Sequence, residues 1–505
     1  MNILLTGGSG FLGKHLITGL LNEGHDVTVV GREAVIDARL RWIEHDLRHE
    51  PSEEIKTQLH NISAVIHLAA LMPSKSGDGE EIVVQNKAMT KNVLSLVDSP
   101  KVFILASSVD VYPYSDLSVN EDTPLEPISD YGRSKKESEE ESVRWWKRNS
   151  KTTLTILRFS HLYGSADTNT KMVDTLVRNA LLGKKSKIYG QGRDKRTYLH
   201  VGDAVRAIKS VLKAAKPGIF NVGGEKAYSL NEVIQTIEKK IPVKILLENI
   251  PTENPTENKA GDSIISSERF MKTFNFIPEI NLQDGLSSLV PKNIFFDLDG
   301  PILEVRERYY RVYREFVIGK GGIPLPIDEY WENKRNNVSL DALLKLSKCE
   351  RVDAAEFKRH LAIYREDPSF LKFDKLQPEI ITILSRLSQN YTLYLITLRR
   401  KKENLLRQLE ELGILRYFKE VLTTTPTTED KWSHKAELLK KNHLQDQAGI
   451  IIGDTPTEII AGKKTGLTTI AVSNGIRTEE ILLQAGPHLI IDSVKEIQSL
   501  PFFKR

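Results

Sequence analysis

The stretch Leu4–Gly13, "LLTGGSGFLG", decides how the first half of the chain is read. An apolar run enters it and an amphipathic run leaves it, so Gly7, Gly8, Gly10 and Gly13 fall between a strand and a helix that Phe11 and Leu12 open. Glycines at such a junction let backbone N–H groups approach a phosphate, and the helix N-terminus behind them favours negative charge. Two spacings are satisfied at once, G-x-G-x-x-G at 8, 10 and 13 and G-x-x-G-x-x-G at 7, 10 and 13. Outward from this turn, short apolar runs ("DVTVVG", "AVIHLAA", "KVFILASS", "TLTILRFS") alternate with helix-length amphipathic stretches. That alternation predicts an α/β fold, a doubly wound parallel sheet over residues 1–240. Between 241 and 290 the text is less regular, and "ENIPTENPTENKAGD" reads as loop in a small appended region.

At 505 residues the chain exceeds the size at which one core stops growing, and a second start is visible at residues 294–303, "IFFDLDGPIL". A helical stretch over 305–370 follows, then renewed alternation ("YTLYLIT", "AGIIIGD", "TTIAV", "LIID"), with the domain boundary placed near Val290 and Pro291. The formal charge of +4 is small, and bases are interspersed with acids ("KKESEEESVRWWKR"), which argues against a nucleic-acid surface. A single cysteine, Cys349, excludes an intramolecular disulfide. No long apolar run or basic-then-apolar leader is present, so a cytoplasmic protein without a membrane span is expected.

In "YGRSK", Tyr131 and Lys135 stand four residues apart on one helix face. A phenol titrates near pH 10 (about 10), so acid/base work at neutral pH needs a nearby cation, which Lys135 supplies. Ser108, ending the strand "VFILASS", offers a hydroxyl to a reacting carbonyl or alcohol oxygen.

With these residues in place, the first 289 residues resemble the extended short-chain dehydrogenases/reductases, the NAD-dependent epimerase/dehydratase family. The likeness is carried by "TGGSGFLG", "HDL", "VIHLAA", "VVQNKAMTKNV", "SSVDVYP", "YGRSK", "LRFSHLYG", "GQGRDKRTYLHVGD" and "GIFNVGG". The resemblance implies a Rossmann domain whose Gly7, Gly10, Phe11, Leu12, Gly13, Asp46, Leu47 and Ala69 hold NAD or NADP. It makes Ser108, Tyr131 and Lys135 the catalytic set and Arg196 the residue that holds a sugar nucleotide's phosphates. It is compatible with a homodimer. Three departures matter. Gly31 and Arg32 replace the acid expected after the second strand, and an arginine can meet a 2′-phosphate, which makes NADP credible. Val109 and Asp110 alter the triplet that family dehydratases carry, which disfavours dehydration. Pro113 and Phe159 replace a glycine and a proline and alter loop shape rather than chemistry.

In the second half, Asp297 and Asp299 end a buried strand two residues apart. One can attack phosphorus while the other handles the leaving-group proton, and a magnesium ion offsets their charge. With "LYLITLRR", "HKAELLKKN" and "IIIGDTPTEIIAG", residues 293–505 resemble the haloacid dehalogenase-like (HAD-like) phosphatases. That resemblance implies Asp297 as nucleophile, Asp299 as acid/base, Thr397 and Lys435 on the phosphate, and a metal held by Asp297, Asp299 and Asp454, with the helical insert as a cap. Lys431 is an alternative to Lys435. Pro301 replaces a common threonine, and Glu458 replaces a second aspartate but can still orient a metal-bound water.

The expectation is therefore a bifunctional enzyme, a sugar-nucleotide epimerase acting at a hydroxyl carbon such as C4, fused to a Mg2+-dependent phosphatase. An NADPH-dependent keto-sugar nucleotide reductase is the alternative for the first half, and a redox-sensing binding module a weaker one. Sugar nucleotides and phosphate monoesters are the expected small-molecule substrates. Because this phosphatase type cleaves monoesters, the two sites serve different steps, or the first acts on a sugar bearing its own phosphate.

Overall fold

The computed structural model describes residues 1–505 except 36, 38, 74–78, 150, 166–171, 242, 251–260, 426–430, 442–446 and 505. The chain divides into two compact units, Met1–Leu289 without Leu181–Gly183, and Val290–Arg505 with those three residues.

The first unit is built on seven parallel strands: β1 (Asn2–Thr6), β2 (Asp26–Gly31), β3 (Arg41–Glu44), β4 (Ala64–His67), β5 (Val102–Ser108), β6 (Thr153–Phe159) and β7 (Gly218–Val222). Their order is β7-β6-β5-β4-β1-β2-β3. The chain runs outward from β1 to β3, then returns to β4 on the other side of β1. The crevice between the ends of β1 and β4 is thus a topological switch point, where such sheets bind ligands. Side chains of β1 alternate between the two faces, which is why the strand reads as apolar throughout. Ile3 and Leu5 pack with Leu16 and Leu20 of the helix Phe11–Asn22 and with Val205, whereas Leu4 packs with Val65, Met89 and Phe103. Each such fully buried aliphatic side chain contributes about 1.5–3 kcal/mol.

Strands Lys195–His200, Ala227–Ser229, Ser263–Ile265, Ser115–Val119 and His161–Tyr163 form a separate sheet. Residues 246–250, partly within the text read as loop, instead form a strand paired in parallel with Lys185–Tyr189. Of that loop reading, residues 251–260 lie outside the described residues.

The second unit holds six parallel strands, β8 (Asn293–Phe296), β9 (Thr392–Thr397), β10 (Glu420–Thr423), β11 (Gly449–Gly453), β12 (Thr468–Val472) and β13 (Leu489–Ile491), ordered β10-β9-β8-β11-β12-β13. Phe295 stacks on Tyr394 with ring centres 5.0 Å apart. Between β8 and β9 the helices Arg306–Gly319, Ile327–Arg335, Leu340–Leu346, Ala354–Tyr364 and Pro368–Leu371 are inserted. The chain enters and leaves this insert through an antiparallel pair, Leu303–Glu304 with Lys375–Leu376. No described helix is long and apolar enough to cross a membrane.

Candidate active sites

In the first unit, Gly7, Asp46, Ala69 and Ser108 all lie at the carboxyl ends of sheet strands or just beyond them. Gly7 has φ +75°, and a Cβ there would stand 2.7 Å from the Ala69 nitrogen, so the β1 turn and the β4 end approach as only glycine permits. A Cβ on Gly13 would strike the Gly7 carbonyl, which seats the helix Phe11–Asn22 directly behind the turn. Its N-cap, Gly10, has no side chain to satisfy the first-turn N–H groups. This cradle fits a dinucleotide pyrophosphate. Leu47 is buried, and its carbonyl accepts a bond from Asn92 Nδ2 at 2.9 Å. Asp46 is lowered to about 2 by hydrogen bonds from Arg48, with a smaller contribution from the charge of exposed Arg32.

The helix Asp130–Arg148 carries Tyr131 and Lys135, and Gly132 lets it sit on the Asp110 carbonyl, where a Cβ would collide. Lys135 Nζ donates to the Ala106 carbonyl at 2.9 Å and lies 5.6 Å from the Tyr131 ring centre. Ser108 Oγ donates to Asp110 Oδ2 at 2.9 Å. Burial, with smaller opposing effects from Glu139 and Asp110, lowers Lys135 to about 8. Burial and the Asp110 charge raise the Tyr131 phenol above its ordinary value. The ammonium alone therefore does not hold Tyr131 as phenolate. Asp110 was read in the sequence only as part of an altered triplet, and its effect on the phenol appears only in three dimensions.

One turn beyond Lys135, buried Glu139 pairs with Arg158 at 2.6 Å and accepts from Ser107 Oγ at 2.5 Å, while Arg158 Nη1 donates to the Tyr112 hydroxyl at 2.6 Å. This network ties the helix to the end of β5, and so fixes Lys135 relative to Ser108. Arg196 makes its contacts elsewhere. Its Nη1 donates to the carbonyls of Lys195, at 3.2 Å, and Gly261, and its guanidinium lies 5.1 Å from the Tyr114 ring centre.

In the second unit, β8 pairs with both β9 and β11, which brings Asp297, Thr397 and Asp454 to one edge of the sheet. Lys435 Nζ donates to Asp297 Oδ1 at 2.6 Å and to Glu458 Oε1 at 2.5 Å, whereas Lys431 is exposed. Asp297, Asp454 and Glu458 place oxygens within 4.8 Å of one another. Gly300, at φ +108°, and Gly475 both crowd Asp454, where a Cβ would collide with its carboxylate. One oxygen of Asp454, Oδ2, accepts from the Ile476 nitrogen at 2.6 Å, while buried Oδ1 has no hydrogen-bond partner. Burial, Asp297 and Glu458 raise Asp454 well above the carboxylate range, and burial, opposed by Lys435, raises Asp297 to about 7. Clustered oxygens that resist ionising together, with one left unpaired, fit a hard divalent cation.

Asp299 was expected among the metal ligands, and among the described residues the grouping of close carboxylates is Asp297, Asp454 and Glu458. Its carboxylate is taken by Arg308 at 2.6 Å and Arg399 at 2.5 Å, and Asp374 pairs with Arg308 at 3.0 Å. Burial alone would raise Asp299, but the two guanidiniums override it and hold the group well below its ordinary value. Glu458 occupies the grouping instead. Sequence reading missed Arg308, Asp374 and Arg399. Arg399, two residues past the end of β9, sat in a quoted motif, whereas Arg308 and Asp374 lie in or beside helical text with no local signal.

Comparison with known proteins agrees with this division. Residues 3–223 match the model of the NAD dependent epimerase/dehydratase family, and 294–472 that of the haloacid dehalogenase-like hydrolases. Among relatives, dTDP-glucose 4,6-dehydratase 1 of Escherichia coli K12 is 30% identical over 274 residues, 47% of this chain and 76% of that protein. A UDP-glucose 4-epimerase of Lactobacillus helveticus is 25% identical over 54% of this chain and 90% of its own length. A solved structure, MoeE5 in complex with UDP-glucuronic acid and NAD, is 27% identical with TM-score 0.52 and spans 57% of this chain and 97% of that one. With glycine cradle and carboxylate cluster each in its own unit, the chain belongs to the NAD-dependent epimerase/dehydratase family through its first half and to the HAD-like hydrolases through its second.

Proposed function

We propose that the first half is an NAD-dependent epimerase of sugar nucleotides, inverting a hydroxyl carbon such as C4, and that the second is a magnesium-dependent phosphatase. The observation that carries the first reading is the convergence of Ser108, Tyr131 and Lys135 beside the glycine cradle. Gly7, Gly10, Phe11, Leu12, Gly13, Asp46, Leu47 and Ala69 would hold the dinucleotide, which supplies hydride acceptance and return when bound. Tyr131 takes the sugar hydroxyl proton, Ser108 donates to the same oxygen, and Lys135 lowers the cost of the phenolate. Arg196 is assigned to the substrate phosphates. Relatives and the MoeE5 complex support sugar nucleotides as substrates. The test is cofactor retention: an epimerase that returns its hydride turns over without added NAD(P)H, and stoichiometric consumption of NADPH would instead mark a reductase. Arg32, at the end of β2 where it acts on Asp46, favours that second reading.

The second reading is carried by Lys435 bridging Asp297 and Glu458 beside Asp454. Asp297 attacks phosphorus, forming an acyl phosphate as the leaving oxygen departs, and water then releases inorganic phosphate and restores the carboxylate. Thr397 and Lys435 hold the phosphate, and Asp299 is assigned the proton transfers. Asp297, Asp454 and Glu458 would hold the magnesium ion, which supplies charge neutralisation. Phosphate release from monoesters that stops with chelator checks it. Cys349, buried and unpaired, accords with a reducing, cytoplasmic setting.

A further inference from the structure

Around the Asp297 cluster stand four more cations that this chemistry leaves unused. Tyr309, whose hydroxyl lies 3.5 Å from Asp299 Oδ2, is surrounded by charge: Lys334 Nζ is 5.6 Å from its ring centre, and the guanidiniums of Arg365 and Arg308 are at 5.3 and 5.2 Å. Arg477 Nη1 donates to the Lys334 carbonyl at 2.8 Å, and Arg477 directly follows Ile476, whose nitrogen binds Asp454. Lys431 completes the group: burial first, then the charges of Arg477, Arg365 and Lys431, push Lys334 well below its ordinary value. Among the described residues none of Lys334, Arg365, Lys431 and Arg477 has a carboxylate within 4.0 Å. Like charges gathered without a carboxylate beside them cost free energy unless a ligand supplies the opposite sign.

The balance indicates how much charge is missing. The inner set has five carboxylates (Asp297, Asp299, Asp374, Asp454, Glu458) against three cations (Arg308, Arg399, Lys435), a difference that one divalent ion closes. A phosphate monoester dianion then offsets two of the four outer cations, and two remain. We propose that the second half selects phosphate monoesters whose leaving portion carries a further anionic group, a carboxylate or another phosphate, held by Lys334, Arg365, Lys431 and Arg477. The proposal rests on the phosphatase reading and names its substrate class.

The test uses the full chain with magnesium and matched esters: 6-phosphogluconate and glucose 1,6-bisphosphate, each against glucose 6-phosphate. Isothermal titration of Asp297→Asn reads binding without hydrolysis, and phosphate release by the unaltered protein reads turnover. At least one of the doubly anionic esters is expected to bind about tenfold or more tighter than glucose 6-phosphate, and to have the higher kcat/KM. Which of the two gains more distinguishes a carboxylate from a phosphate. Lys334→Gln or Arg365→Gln, each checked for an unchanged melting profile, is expected to erase most of that ratio. Equal affinity for all three esters, or a ratio that survives both substitutions, overturns the proposal. Discrimination in binding with no magnesium-dependent phosphate release from any ester would overturn the phosphatase reading while upholding the anion subsite.

Discussion

The two units solve charge placement in opposite ways. In the first, one buried ammonium, Lys135, stands near one phenol, and the backbone of a glycine-rich turn is left open; burial and Asp110 keep Tyr131 protonated. In the second, carboxylates and cations are packed in alternation, with Lys435 tied to two acids and Asp299 to two arginines. The first site is thus sparse in charge and depends on what binds. The second is preassembled, and removing Lys435 leaves Asp297 and Glu458 buried and unmatched.

That contrast makes Lys435→Ala the most damaging single change. It strands Asp297 and Glu458, and is expected to destabilise the second unit by about 3–5 kcal/mol. Phosphate release should fall at least about 1,000-fold, since the same change removes the cation proposed to hold the phosphate. Denaturant melts and phosphate assays check both; a stable variant would blur the contrast. Tyr131→Phe is next. It removes a proton carrier from a sparse site without unpairing any charge, so turnover should drop about 100-fold or more while the melting profile and NAD affinity stay near those of the parent. Arg32→Asp is a smaller test, expected to weaken NADP relative to NAD in titrations with both dinucleotides, because it places a carboxylate where a 2′-phosphate would sit. An unchanged ratio would show that another residue reads the ribose.

The smallest effect concerns His67, at the end of β4, which accepts or donates in bonds to Thr6 Oγ1 at 2.7 Å and Thr90 Oγ1 at 3.2 Å. Burial, aided by Lys135, lowers it from 6.5 to about 3. Between those values the unfolded chain binds the extra proton, so the first unit loses stability as pH falls below 6.5, by at most about 1.4 kcal/mol per pH unit. Melting from pH 7 to 5 should show a shallower slope for His67→Gln.

What could be read from the sequence follows the same division. The strands of both sheets were legible because each buries apolar side chains on two faces, as β1 does with Ile3, Leu4 and Leu5. The strand Leu246–Ile250 was not, since "LLENI" lies in a two-stranded ribbon and four of its five side chains are exposed, so no burial pattern marks it. Tyr131, Lys135 and Ser108 were legible because one helix face and one strand end carry them. The direction taken by the Asp299 carboxylate was not, because Arg308 from the insert and Arg399 from the end of β9 hold it outside the grouping of Asp297, Asp454 and Glu458.

The central claim is that each half carries its own complete active site, and the most direct measurement assays both reactions in one protein, Asp297→Asn. An amide at that position is a poor nucleophile and a weaker metal ligand, so phosphate release should vanish, while sugar-nucleotide turnover stays within about twofold of the parent. Loss of both reactions together, or hydrolysis that survives the substitution, would contradict the account.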